Sequence, residues 1–393
     1  MNIDTDAVET RAEEVCRTLC SSIGARPVGT TANNEASSYL LSLAKQWNYD
    51  ITSLPFACQE WRYEPSTLHR TPIHPGPFSP PLQGRFEVTV VERLTDLRKK
   101  QFSNRLLLIR GAAAAEPLMP KDFPFYYPEE HKEIIELLQA KRPAGIVALT
   151  GQHPLCGLNP FPLFEDGNLG IPNAYATEEA EPIPAQVEID LRSQSHSSSG
   201  SQLVFTRRGA SHKRVVLCAH MDTKYDTPGA LDNASGVAVL MAVMEQLKDA
   251  PLPFTVEFVP FNGEEYYGVP GQLSYLGVQG AGEQPPHLVI NIDGIGHRDS
   301  RNAITLYNFE EATTARAREL VEADESAEMG EPWIAGDHSM FAFQGIPCVA
   351  VTSSNLMETV VGLTHTPADT IENLNFRLLD SAVGFIMKLL QGM

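Results

Sequence analysis

The sequence predicts an α/β protein whose main sheet is open and whose candidate site lies along one sheet edge. Three observations lead there. From residue 202 onward, apolar runs of strand length alternate with longer stretches of helical period. Several of those apolar runs stop at an imidazole or a carboxylate, which collects polar chemistry at the strand ends. The chain has 393 residues, more than one simple core holds, so it reads as two domains or as one large domain with an insertion.

The elements follow in order. Residues 7–22 and 34–47 read as amphipathic helices: Leu19 and Ile23 mark the apolar face of the first, and Tyr39, Leu40, Leu43 and Ala44 that of the second. Arg26-Pro27 lies in the glycine-bounded link 24–29, which turns the chain between them. From 55 to 83 the pattern dissolves into Pro, His and Ser and reads as an irregular crossing segment. Residues 85–184 form a second organisation, a small mixed α/β unit. Within it 86–90 alternates like a strand, 105–109 and 145–149 are apolar strands, and 129–140 is a helix with Ile134, Ile135, Leu137 and Leu138 on one face. Residues 170–174 resume after a polar loop. The Ser-rich stretch 195–201 reads as a flexible hairpin or linker. Beyond it come a strand at 215–219, a helix at 234–247, strands at 255–261 and 288–292, a helix at 310–323, a strand at 348–352 and a closing helix at 376–390. No internal repeat is present.

Composition narrows the function classes. Lys plus Arg total 30 against 49 for Asp plus Glu, a net charge of −19 that argues against nucleic-acid or anionic-membrane partners. Residues 1–10 are polar and acidic, so no signal peptide is expected, and no run of about 18 apolar residues marks a membrane span. The six cysteines, Cys16, Cys20, Cys58, Cys156, Cys218 and Cys348, are scattered and read as buried reduced thiols, with a metal or redox role for Cys16 and Cys20 as the alternative. A cytoplasmic address follows. The oligomeric state is not legible.

The chemistry concentrates in five side chains, His220, Asp232, Glu265, Asp293 and His365, with Glu264 beside one of them. Two imidazoles and three carboxylates suit a pair of adjacent zinc ions that share one carboxylate. An additional Glu suits a general base acting on water, so the set points to hydrolysis. Each piece has a plainer reading. His220 follows an apolar strand and is either a ligand or a satisfied surface histidine. Asp222, two residues on, lies on the same side of an extended chain and can fix its tautomer. Asp232 is either a bridging ligand or the N-cap of the helix behind it. Glu264-Glu265 is either base and ligand or an acidic turn, and Asp293 before Gly294 is either a ligand or a turn residue. His365 is either a ligand or a loop histidine, with Asp369 and Glu372 as a capping box for the next helix. What sets these readings apart is the order, five donors in succession at strand ends and turns.

The segments His220-Met221-Asp222, Gly229-Ala230-Leu231-Asp232-Asn233-Ala234-Ser235-Gly236, Gly263-Glu264-Glu265, Asn291-Ile292-Asp293 and His365-Thr366-Pro367-Ala368-Asp369-Thr370 resemble the co-catalytic zinc aminopeptidase family that also contains glutamate carboxypeptidase, peptidase family M28. Gly336-Asp337-His338-Ser339 and Gly345-Ile346-Pro347 are similar to further family segments. The resemblance covers about 203–393, and 23–29 looks like the family's leading link. It implies a three-layer α/β/α zinc-exopeptidase fold with a mixed central sheet, formed by 1–55 and 203–393. Residues 56–202 would form an inserted α/β domain resembling a protease-associated domain. It implies two Zn2+ ions, with Mn2+ or Co2+ as alternatives. His220 and Asp293 would hold one ion, Glu265 and His365 the other, and Asp232 would bridge them. Glu264 would be the base, Asp222 would support a ligand, and the Asp232–Asn233 peptide would be cis. Two departures fall on the substrate side: Thr364 stands where Tyr is common, and Gly268-Val269-Pro270-Gly271-Gln272 replaces Gly-Leu-Leu-Gly-Ser.

The expected activity is hydrolysis of peptide substrates by an aminopeptidase that releases N-terminal residues. A carboxypeptidase or dipeptidase on the same metals would need a cationic pocket, for which Arg298 and Arg301 are the candidates. A glutaminyl cyclase would use one zinc. An inactive binding protein on this scaffold would have lost ligands, and none is lost.

Overall fold

The computed structural model describes residues 5–121, 123–125, 127–154, 157–177, 184–279 and 284–393. Cys156 lies outside them. The chain divides into two compact units, Met1–Cys58 with Ser199–Met393 and Gln59–Ser198. The sequence reading puts the joints at 55/56 and 202/203; the contacts put them at 58/59 and 198/199.

In chain order the elements begin with α1 (Thr5–Arg17), α2 (Thr31–Gln46) and the long strand β1 (Asp50–Tyr63). Then follow β2 (Ser66–Leu68), β3 (Thr71–Pro75), β4 (Leu82–Val91), α3 (Leu94–Lys99), β5 (Leu106–Ile109), α4 (Glu129–Lys141), β6 (Gly145–Thr150), β7 (Asn173–Thr177) and β8 (Gln186–Leu191). Next come β9 (Ser193–Arg207), β10 (Arg214–His220), α5 (Ser235–Leu247), β11 (Thr255–Phe261), α6 (Pro270–Gln279), β12 (Leu288–Ile292) and β13 (Asn302–Tyr307). The chain closes with α7 (Glu311–Glu322), β14 (Ala327–Met329), α8 (Ser339–Ala342), β15 (Cys348–Ser353), the single turn α9 (Val361–Leu363) and α10 (Phe376–Gln391).

Eight of these strands form one mixed sheet in the order β1-β9-β11-β10-β12-β15-β13-β14. Its centre, β11-β10-β12-β15, is parallel, while β9 and β13 join it antiparallel. The period-2 geometry of a strand sends alternate residues to opposite faces. Val215, Leu217 and Ala219 of β10 therefore enter the core that holds α1, α5 and α10. Val216 and Cys218 enter a second core with Tyr275 of α6 and Met340 and Phe341 of α8. Both faces are covered, which is why these strands are mostly apolar rather than alternating. α5 is buried nearly all round, as a helix between a sheet and two further helices must be.

In the second unit, β2-β3-β7-β6-β5-β4-β8 close into a barrel. Leu106 and Leu108 of β5 face one core with Val147, Ile189 and Leu191, and Leu107 and Ile109 face another with Ile134, Ile135 and Leu138 of α4.

Three expectations change. Residues 195–201 are not a linker; they lie within β9, where pairing with its sheet neighbours supplies the order that serine side chains do not. The segment 55–83 is not irregular, since it carries the rest of β1 together with β2 and β3. Pro72 and Pro75 hide β3 in the sequence, yet they sit opposite Thr67 and Ala174 in short ladders where a missing N–H is tolerated. The first helix gives way at Thr18 to a π-helical turn, Thr18–Ile23, which ends at Gly24 with φ +81°.

Candidate active site

Parallel strands end together, and here that edge gathers the predicted donors. β10 ends on His220, which lies in register with Phe261, so the turn that follows β11 carries Glu264 and Glu265 alongside it. β12 ends one residue before Asp293, whose N–H is held by the Val351 carbonyl of β15 at 2.9 Å. Asp232 arrives from the turn that opens α5, and His365 from the loop behind α9, at φ +61°. Histidine tolerates this left-handed conformation better than most residues.

The five donors form two triads that share Asp232. His220, Asp232 and Asp293 make one, and Asp232, Glu265 and His365 the other; within each triad the ligand atoms lie within 4.8 Å of one another. Asp232 Oδ1 is 2.9 Å from His220 Nε2, and its Oδ2 is 3.1 Å from His365 Nε2. Each imidazole meets a second carboxylate: His220 Nε2 is 3.5 Å from Asp293 Oδ1, and His365 Nε2 is 2.8 Å from Glu265 Oε1.

The electrostatics are those of a crowded acidic pocket. Burial disfavours charge on both rings, but Asp293 and Asp232 hold the pKa of His220 well above its usual range, and Glu265 with Asp232 does the same for His365. Burial also opposes ionisation of Asp232, yet its bonds to the two imidazoles keep it well below the carboxylate range. Glu264 is pushed well up, first by burial, with the charge of His220 opposing and Glu265, Asp337 and Asp293 adding to the rise. A largely half-buried set of two imidazoles and three carboxylates in this arrangement has the donor chemistry of a zinc pair. Positive charge is what the pocket needs.

Surrounding residues hold these groups in place. Asp222 is fully buried and accepts three backbone N–H groups from the turn that follows β11: Gly263 at 2.9 Å, Glu264 at 3.3 Å and Glu265 at 3.0 Å. Its carboxylate lies 3.9 Å from His220 Nδ1, and that ring nitrogen instead meets the Asp222 backbone oxygen at 3.2 Å. The side chain thus shapes the Glu264 turn rather than the imidazole tautomer. Asp369 does not cap a helix; its carboxylate accepts the N–H of Leu231 at 2.8 Å and of Asp232 at 3.1 Å. Nor does Asp232 serve as an N-cap. Its neighbour Asn233 takes that role, accepting from Gly236 N at 2.9 Å and donating to the Ile292 carbonyl at 2.8 Å. The Asp232–Asn233 peptide is cis.

Two contributors escape the sequence reading. Arg26, in the link treated only as a turn, is completely buried, and its guanidinium donates to the carbonyls of Met221, Pro228 and Gly229 at 2.8, 2.7 and 3.1 Å. It ties down the loop between His220 and Asp232. Only its place before Pro27 in a glycine-bounded link could have drawn notice. Lys224 Nζ lies 3.3 Å from Glu265 Oε2, a cation at the edge of the cluster whose signal was its position four residues after His220. Arg298 and Arg301, the candidates for a carboxylate pocket, are engaged elsewhere. Arg298 meets Asp299 and the Glu372 carbonyl, and Arg301 meets Glu328 and the Glu325 carbonyl.

Comparison with known proteins agrees with this arrangement. Residues 202–390 match Peptidase family M28. The aminopeptidase YwaD of Bacillus subtilis is 24% identical over 237 residues, which cover 56% of this chain and 51% of that protein. The chain thus spans about half the length of this relative. Among solved structures, a zinc aminopeptidase from Bacillus subtilis superposes with a TM-score of 0.75 at 17% identity, covering 98% of this chain and 95% of the other. An aminopeptidase from Aneurinibacillus sp. strain AM-1 gives 0.73 at 15% identity, covering 98% and 93%. At these identities the structures speak for the fold. The sequence match places residues 202–390 in peptidase family M28, and the structures agree with it in fold.

Proposed function

We propose that this chain is a di-zinc metalloexopeptidase acting as an aminopeptidase on peptide substrates. His220 and Asp293 would hold one ion, Glu265 and His365 the other, with Asp232 giving one oxygen to each. Mn2+ or Co2+ suit the same donors. The observation that carries the reading is the division of Asp232 between two imidazoles, at 2.9 and 3.1 Å, with a further carboxylate on each side.

When bound, such an ion pair polarises a carbonyl and eases loss of a proton from water. The rest is work for the chain's own groups. The Glu264 carboxylate accepts the proton of the attacking water and later passes it to the nitrogen of the leaving amine. In the metal-free protein Glu264 favours its protonated form, because burial and the neighbouring acids penalise its charge. With divalent cations bound beside it, Glu264 would instead hold the ionised carboxylate that a base must start from. Asp222 fixes the backbone of the Glu264 turn through three N–H bonds, so the base is preorganised. A substrate's free α-ammonium group finds partners among the acids of the pocket, which favours release from the N-terminus. The names of the relatives support the same choice. A cytoplasmic address rests on the buried thiols Cys16, Cys20, Cys218 and Cys348, none in a disulfide. No helix among the described residues is long and apolar enough to cross a membrane.

Aminoacyl-nitroanilides and N-blocked peptides test the proposal. Cleavage only where the amine is free supports an aminopeptidase, whereas cleavage of N-blocked peptides from the carboxyl end rejects it. Glu264→Ala should lower kcat by at least about 100-fold while zinc content stays at the wild-type level. Turnover near wild type would remove Glu264 from its role.

A further inference from the structure

We infer that Gln272 is a positioning residue for the base Glu264, acting by bracing the base turn against Asp337. This inference rests on the role given to Glu264 above. Gln272 begins α6 just after Pro270-Gly271, where the family resemblance leads one to expect Ser. It is 1% exposed, and its Nε2 donates to Asp337 Oδ1 at 2.9 Å. Asp337 is itself 5% exposed and belongs to the turn that leads into α8. The bond therefore joins the first turn of α6 to the turn before α8, two parts of the chain distant in sequence.

The other end of the brace is the base turn. Gly263, immediately before Glu264, sits at φ +141°, and a Cβ there would lie 2.8 Å from Pro270 Cδ and 3.2 Å from Gln272 Oε1. Gly271 is just as tightly placed: a Cβ there would meet the Asn262 carbonyl oxygen at 2.4 Å and Gln202 Oε1 at 2.5 Å. The start of α6 is thus pressed onto Asn262-Gly263 with no slack, and the Gln272 side chain carries that contact across to Asp337. A serine there is too short to make the same span. Asp337 Oδ2 and Gln272 Oε1 have no hydrogen-bond partner among the described residues, which leaves the Nε2–Oδ1 bond to set how the two side chains lie. A misplaced base costs rate without costing substrate affinity, because proton transfer is sensitive to fractions of an ångström.

The test uses the full-length zinc-loaded enzyme and an aminoacyl-nitroanilide. Gln272→Met keeps the length and packing of the side chain and deletes the amide. It should lower kcat about tenfold or more, with KM within about twofold of wild type and zinc content unchanged. Gln272→Ser should show the same defect. In a double-mutant cycle with Asp337→Ala, which removes the acceptor oxygen, the combined loss should not exceed the larger single loss, because the two residues act as one unit. Wild-type kcat in Gln272→Met overturns the inference. So does a loss that multiplies with that of Asp337→Ala, or one that follows loss of zinc. A wild-type protein that cleaves no peptide would reject the peptidase reading first and this inference with it; an active wild type beside a fully active Gln272→Met rejects this inference alone.

Discussion

At the scale of single residues, the site is supported by buried polar groups whose contacts are backbone atoms. Asp369 illustrates the cost of losing one. Its carboxylate takes two N–H groups, from Leu231 and Asp232, and burial pushes its pKa up to about 7. Asp369→Ala leaves both donors buried without a partner, a loss of about 1–3 kcal/mol for each. It also frees the backbone of Asp232, the proposed shared ligand. Denaturant titration should show the lower stability, and zinc analysis should show fewer than two ions per chain; a full zinc complement at wild-type stability would contradict this account of Asp369. His338 provides a pH test. Burial lowers its pKa to about 4 against the Trp333 carbonyl contact, which raises it. The unfolded chain then binds a proton near pH 6.5 that the folded chain refuses, so stability falls as pH drops from about 6.5 to about 4. The change is up to about 3 kcal/mol. Unfolding curves of wild type and His338→Asn across that range should differ in slope, the wild type being the steeper. Equal slopes would mean that the ring is solvated.

At the scale of elements, the approach of α5 to the sheet sets where Asp232 sits. Gly236 is essential there: a Cβ would lie 2.3 Å from both the Ile292 carbonyl oxygen and Asn233 Oδ1. Gly236→Ala must push α5 away from β12, separating Asp232 from Asp293, and its zinc affinity should fall at least tenfold in a competition titration with a chelator. Unchanged affinity would show that the helix can shift without moving the ligands. The same elements explain what a reader of the sequence can and cannot see. β10, β11 and β12 are legible because each is a mostly apolar run that leads to a polar residue, and α5 because its apolar positions keep helical spacing. β9 and β3 are not, because serine and proline carry no strand signal of their own and the order comes from partner strands distant in sequence. α6 is hidden for a related reason, since Pro-Gly at its start reads as a turn although proline suits the first position of a helix. The five donors are legible as residue types in order. The use of Asp222, Asp369 and Arg26 is not, because each acts on backbone atoms brought close only by the fold.

At the scale of the whole molecule, an acidic chain with a net charge of −19 gathers several buried acids into one pocket, and that concentration is unfavourable until cations enter. Metal removal should therefore register as a loss of global stability. Zinc present at about 100 times its dissociation constant should contribute about 2.7 kcal/mol for each site that binds only the folded chain. A chelator should lower Tm accordingly, and restored zinc should raise it again; a Tm indifferent to both would mean that the folded chain holds no metal. The central claim, that Asp232 is shared by two ions, is tested most directly by anomalous diffraction from zinc-loaded crystals on either side of the zinc absorption edge. The account predicts two peaks, one among His220, Asp232 and Asp293 and one among Asp232, Glu265 and His365. A single peak, or peaks away from these side chains, would contradict it.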